Sequence, residues 1–143
     1  MQSQEEWVPC VFELETTPGK VASSTWTIRN VDATEANLSF VIPLPTRRGG
    51  MRLHLSGITV GVQDASPGNS VPKFHARGIN YDKSTVLEPS KHLTPISAAT
   101  KAQHLFAPVD CSPYEVVKVV VYLECTTPHG VDISFVTAKC HYA

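Results

Sequence analysis

The stretches YEVVKVVVYLEC (residues 114–125) and VDISFVTAKCHY (131–142) decide how this chain folds. The first holds five valines, and Val117, Val119, Val121, Leu123 and Cys125 share one parity. Such alternation marks a strand with one buried face. The second begins with Val131, Ile133 and Phe135 in one phase. It continues with Val136, Ala138, Cys140 and Tyr142 in the other, a flip that one β-bulge near 135–136 explains. Read as a hairpin joined by Pro128-His129-Gly130, the two strands place Cys125 opposite Ile133, Leu123 opposite Phe135 and Cys140 opposite Val119. Cys125 and Cys140 then lie about 20 Å apart at ~3.3 Å per residue, too far for a disulfide or a shared metal. His129 falls at the loop tip and His141 on the face away from Cys140. The cluster Cys125, His129, Cys140 and His141 is therefore read as strand chemistry, not a site.

Outward from this pair, strand signals dominate. Val8, Cys10, Phe12 and Leu14 alternate with polar or smaller residues, Trp26 and Ile28 share a face, and so do Leu38, Phe40, Ile42 and Leu44. Pro43 and Pro45 require that last strand to lie at an edge or stop at Pro43. TRRGG (46–50) is a turn. In MRLHLSGITVGVQDA (51–65) the apolar phase flips across Ser56-Gly57, which predicts a bulge. Residues 83–101 read as a long loop with one short strand, and SAATKAQHLF (97–106) is the only helical candidate. Eleven prolines, frequent turns and no βαβ alternation predict an all-β fold. The expected architecture is a single-domain antiparallel β-sandwich over 1–143, of jelly-roll type, with about seven to nine strands.

Composition narrows the function. The 143 residues carry 12 Lys+Arg against 13 Asp+Glu, a net charge of −1, without the basic excess of a dedicated nucleic-acid binder. Charged residues make up 17%, below the usual quarter, which suggests a surface partly covered by a partner or by copies of itself. The N-terminus has no cationic start followed by an apolar run, and no membrane span is found. Cytosolic synthesis is the expectation, and Asn37-Leu38-Ser39 reads as a chance sequon.

Cys10 and Cys140 fall on terminal strands that commonly neighbour each other. They either pair or remain buried thiols. Cys111 sits in a turn. His54 and His75 would meet only in a cupin-like barrel, whose His-x-His motif is absent. Glu13 and Glu15 share a solvated strand face. RRGGMR (47–52) is glycine-rich and basic, yet no helix follows it to hold a phosphate. No catalytic, cofactor-binding or metal residue is therefore assigned. The remaining lead is aromatic: Trp7, Tyr81, Tyr114 and Tyr142, as residues that would grip a sugar or a partner protein if exposed.

The order of features in SFVIPLPTRRGGMRLHLSGITVGVQDASPGNSVPKFHARGINYD (39–82) and VVKVVVYLECTTPHGVDISFVTAKCHYA (116–143) resembles the small single jelly rolls of viral structural proteins, as in capsid, decoration or fibre-head subunits. That resemblance implies a non-enzymatic subunit forming trimers or larger homo-oligomers, assembled into a virion. The chain lacks the Arg/Lys-rich arm of small RNA-virus coat proteins, so genome packaging is not implied. The alternative function is a lectin-like sandwich that binds carbohydrate or protein.

Overall fold

The computed structural model describes residues 4–13, 21–23, 28–30, 36–65, 70–92, 100–124 and 131–143. Twelve strands follow one another with no helix among these residues: β1 (Glu6–Pro9), β2 (Val11–Phe12), β3 (Val21–Ser23), β4 (Ile28–Asn30), β5 (Ala36–Val41), β6 (Arg47–Arg48), β7 (Met51–Ala65), β8 (Ser70–Ile79), β9 (Ser84–His92), β10 (Thr100–Asp110), β11 (Val116–Glu124) and β12 (Val131–Tyr142). One sheet runs β10-β7-β12-β4-β3, with β1 also pairing β12 and β6 pairing β7; the other runs β2-β5-β11-β8-β9. All pairings are antiparallel. The chain is a jelly-roll β-sandwich.

The core lies between the sheets. Leu53, Leu55, Ile58, Val60 and Val136 from the first meet Leu38, Phe40, Phe74, Val119 and Val121 from the second, all buried. Each such side chain contributes on the order of 1.5–3 kcal/mol by leaving water. The strand count exceeds the expected one because several strands are interrupted. The first breaks at Cys10, where the chain leaves β12 and joins β5. Val8, Cys10 and Phe12 still pack against the core on both sides of this switch.

Two sequence expectations meet their match in the register. β5 ends at Val41, before Pro43. Cys140 pairs with Leu55 and Lys139 with Gly57, so Ser56 is the extra residue that flips the phase of β7. Gly49 and Gly50 take φ of 53° and 80° between Arg48 and Met51, the two-residue turn with positive φ that hairpins favour.

Three expectations are corrected. β11 and β12 are not hairpin partners. β11 lies between β5 and β8, while β12 lies beside β7 in the other sheet. Two strands with one apolar face each satisfy parity equally well side by side or face to face, and here they face each other. Cys140 therefore opposes Leu55, not Val119. The loop, Cys125 and His129 lie outside the described residues. The bulge in β12 falls at Ser134, between Ile133 and Phe135. The supposed loop at 83–101 instead supplies β9, and residues 100–106 of the helical candidate are strand β10. β9 tolerates Pro89 because it is an edge strand. His104 Nε2 meets Glu88 Oε1 at 3.2 Å, tying β10 to β9, the two edges on that side of the sandwich.

Candidate functional site

The outward face of the first sheet is built row by row from its register. Trp7 opposes Lys139, Lys139 opposes Gly57, and Gly57 opposes Leu105. The next row is Pro9, Thr137, Thr59 and Gln103; the one beyond is Phe135, Gly61 and Lys101. Gly57, Thr59 and Gly61 share this face because strand parity repeats every two residues. The two glycines leave room that neighbours fill. A methyl at Gly57 would sit 2.9 Å from Leu105 Cδ2 and 3.2 Å from Trp7 Cη2. A methyl at Gly61 would sit 2.6 Å from Phe135 Cδ1, so that ring lies flat on the glycine. Thr59, between them, is buried.

The result is a sheet face with an apolar strip open to solvent. Trp7 is 40% exposed, Leu105 53% and Phe135 38%. Polar groups border it. Gln103 is exposed and Thr137 half-buried. Lys139 Nζ holds Glu5 Oε2 at 2.9 Å, and this bond keeps the Glu5 carboxyl below its ordinary range against a smaller opposing effect of burial.

One row further, His141 opposes His54 and His54 opposes Asp110. The imidazoles stack, with centroids 5.1 Å apart and planes at 17°. His54 Nδ1 lies 3.0 Å from the Arg52 carbonyl, so this nitrogen carries the proton and donates. Arg52 Nη1 stands 3.4 Å from Asp110 Oδ2. Burial pushes the Asp110 pKa up, but the Ser112 amide and hydroxyl, Arg52 and His54 outweigh it and hold the carboxyl below its usual range. His141 does lie on the outward face, but it is only 6% exposed, and its Nδ1 has no hydrogen-bond partner among the described residues. Cover from β1 and the stacked His54 replaces the solvent that strand parity suggested.

The four aromatic candidates do not gather. Trp7 is on the face just described. Tyr81 is 91% exposed at the tip of the β8–β9 turn, which the Asn80 N–H to Lys83 carbonyl bond closes. Tyr114 is half-buried, its ring pressed on Gly78, where an added methyl would lie 2.6 Å from Cδ1. Tyr142 is a correction: it is 5% exposed, so it is not a surface residue. Its hydroxyl donates to the Pro45 carbonyl at 2.6 Å, and the Arg48 guanidinium carbon sits 4.4 Å from its ring centre. Burial pushes its phenol up.

Other candidates resolve as structure. His54 and His75 stand on different sheets and do not converge. His75 Nε2 accepts from Arg77 Nε at 3.1 Å, and its ring tilts against Tyr122. Glu13 pairs with Lys118 at 3.0 Å, and Glu15 lies outside the described residues. Cys10, Cys111 and Cys140 are free thiols, each pushed up to about 12 by burial. Among the described residues no three His, Cys, Asp or Glu side chains come together to hold a metal ion.

Sequence reading missed Leu105 and Phe135 as surface residues, along with the two glycines beneath the strip. The available signal was GITVG (57–61), two glycines four residues apart on one strand face.

No family model and no curated protein matches the chain. Among solved structures it is similar to the family 32 carbohydrate-binding module of C. perfringens NanJ, a structure in complex with galactose. The superposition has a TM-score of 0.57 at 15% identity and covers 98% of this chain and 100% of that one. That likeness concerns the fold.

Proposed function

We propose that the chain is a non-catalytic carbohydrate-binding β-sandwich, with Trp7 as the platform for a sugar ring. The observation that carries this reading is the partly exposed Trp7 indole reaching over Gly57, between Lys139 and Leu105. A pyranose presents an apolar face of C–H groups and a polar rim. An indole supplies the complementary surface with little entropy to lose. Gln103 and Thr137, one row along, supply hydrogen-bonding groups for hydroxyls. Lys139 and Arg52 are engaged by Glu5 and Asp110, so the face offers contact chemistry and not a free acid–base pair. The likeness of fold to a module solved with galactose supports the same reading.

A glycan array followed by calorimetry tests it. Binding of at least one galactose-containing glycan is expected, weakened at least tenfold by Trp7→Ala and little changed by Tyr142→Phe. An empty array at millimolar monovalent ligand, or binding indifferent to Trp7, removes it.

The second reading is the assembly subunit, a self-associating jelly roll of a virion or another symmetric particle. Its support is the same strip of Trp7, Leu105 and Phe135, together with a charged fraction of only 17%. Light scattering distinguishes it. Trimers or larger particles that dissociate on Leu105→Glu favour assembly, whereas a 15.6 kDa monomer at high micromolar concentration removes it.

A further inference from the structure

The first strand switches sheets at Cys10. β1 follows β12 from Cys140 down to Thr137, and β4 pairs with it at Asp132 and Ile133. Between these, the edge of β12 carries the Ser134 bulge and a bond from the Cys10 amide to the Val136 carbonyl at 2.9 Å. Beside this stretch lies a half-open pocket of about 260 Å³, lined by Phe12, Phe40, Ile133, Phe135 and Val136, with Pro9, Cys10 and Ser134 at the switch and the bulge.

Its side chains are mostly apolar. No charged side chain lines it among the described residues. The Ser134 hydroxyl donates to the Gly61 carbonyl at 3.1 Å, and the Cys10 thiol is directed at the Val8 carbonyl at 3.8 Å. Both polar side chains in the lining are thus already engaged. A cavity of ~150 Å³ lined by apolar side chains stays dry and accepts benzene, so this one has room for a substituted ring or a short alkyl chain.

Phe135 belongs to both features. It lines the cavity and forms the end of the exposed strip. Its ladder row lies four residues from that of Lys139 and Trp7, about 13 Å at ~3.3 Å per residue. That is the span of two linked sugar rings. We infer that the ligand is a glycoconjugate bearing an uncharged aryl or short alkyl group, its sugar on Trp7 and its apolar end in the cavity beside Phe135. The inference rests on the sugar-binding reading of the same face.

Fluorine NMR and calorimetry with three probes separate the two claims: fluorobenzene, methyl β-lactoside and 4-fluorophenyl β-lactoside. Fluorobenzene is expected to bind saturably, with NOEs from its protons to the Ile133 and Val136 side chains. The aryl lactoside is expected to bind at least tenfold tighter than the methyl lactoside. Ser134→Phe, at the exposed bulge, should plug the cavity, abolish that gain and leave methyl lactoside binding in place. Methyl lactoside binding with no gain from the aryl group, or a gain that survives Ser134→Phe in a folded protein, overturns the inference and leaves the sugar reading standing. Fluorobenzene binding with the expected NOEs but no lactoside binding overturns the sugar reading and the glycoconjugate with it. Absence of those NOEs in the unmodified protein sinks the cavity assignment without reference to any variant.

Discussion

Alanine at Gly61 tests whether the exposed strip is built as described. A β-carbon there would lie 2.6 Å from Phe135 Cδ1 and 2.7 Å from Cζ. Carbon pairs settle at ~3.5–4 Å, so the ring has to leave the sheet. Phe135 is 38% exposed. Taking ~200 Å² for a phenylalanine, about 120 Å² is covered. At ~25 cal/mol per Å² the covered surface stabilises the fold by about 3 kcal/mol. Tipping the ring off Gly61 forfeits roughly half of that, about 1.5 kcal/mol. Replacing a strand glycine offsets ~0.5–1 kcal/mol by lowering the entropy of the unfolded chain. Gly61→Ala alone should therefore cost about 0.5–1 kcal/mol. In a Phe135→Ala background the clash is gone, and the same change should stabilise by ~0.5–1 kcal/mol. The four proteins of this cycle, unfolded in urea and followed by tryptophan fluorescence, should give a coupling of about 1.5 kcal/mol. A coupling within ~0.5 kcal/mol of zero refutes the stacked arrangement.

Tyr142→Phe leaves the Pro45 carbonyl without its 2.6 Å donor and should lower stability by ~1–2 kcal/mol in the same assay; an unchanged midpoint would mean that the bond contributes nothing net. His75 should make stability fall with acid. Burial, then Arg77 and Lys73, lower its pKa in the fold, so the unfolded chain binds its proton first. Its contribution is complete above the unfolded value of about 6.5 and is lost as pH falls below it toward the folded value. Melts of wild type and His75→Gln at pH 7.5 and 5.5 should show a smaller acid loss in the variant, and equal losses would count against the burial effect. Cys10, Cys111 and Cys140 should resist iodoacetamide at pH 8 in the native protein and react in urea, as peptide mapping reads out. Prompt native labelling of any of the three would contradict its burial.

Periodicity carried the fold class, because each long strand buries one face and its parity is written in valine and leucine. The bulge at Ser56 was equally legible, since a phase flip next to glycine leaves no other antiparallel solution. Partner choice was not legible. Val119 and Cys140 are both buried whether their strands lie side by side or in opposite sheets, and only the packing of β7 against β12 decides. The sequence of β9 reads as a loop because Pro89 and scattered polar residues mask its alternation, which an edge strand does not need to keep. The strip was hidden for a related reason. With the bulge expected near 135–136, Phe135 keeps the phase of Ile133 and reads as core, whereas it follows the actual bulge at Ser134; Leu105 sits in a strand whose register shifts between Leu105 and Val109. A patch assembled from four strands has no local signature.

The place of β12 has a consequence for synthesis. Within these 143 residues it follows every one of its partners, yet β7, β1 and β4 all hydrogen-bond to it. On the ribosome, the first sheet cannot close until residue 142 has emerged. Until then β7 presents one unpaired edge and the inward faces of both sheets lack part of their cover. Strand pairing over such sequence distances is slow. The nascent chain therefore spends its translation time as a sticky, incomplete half-sandwich. Fragments cut before Val131 would keep the unpaired edge of β7 and should aggregate instead of folding.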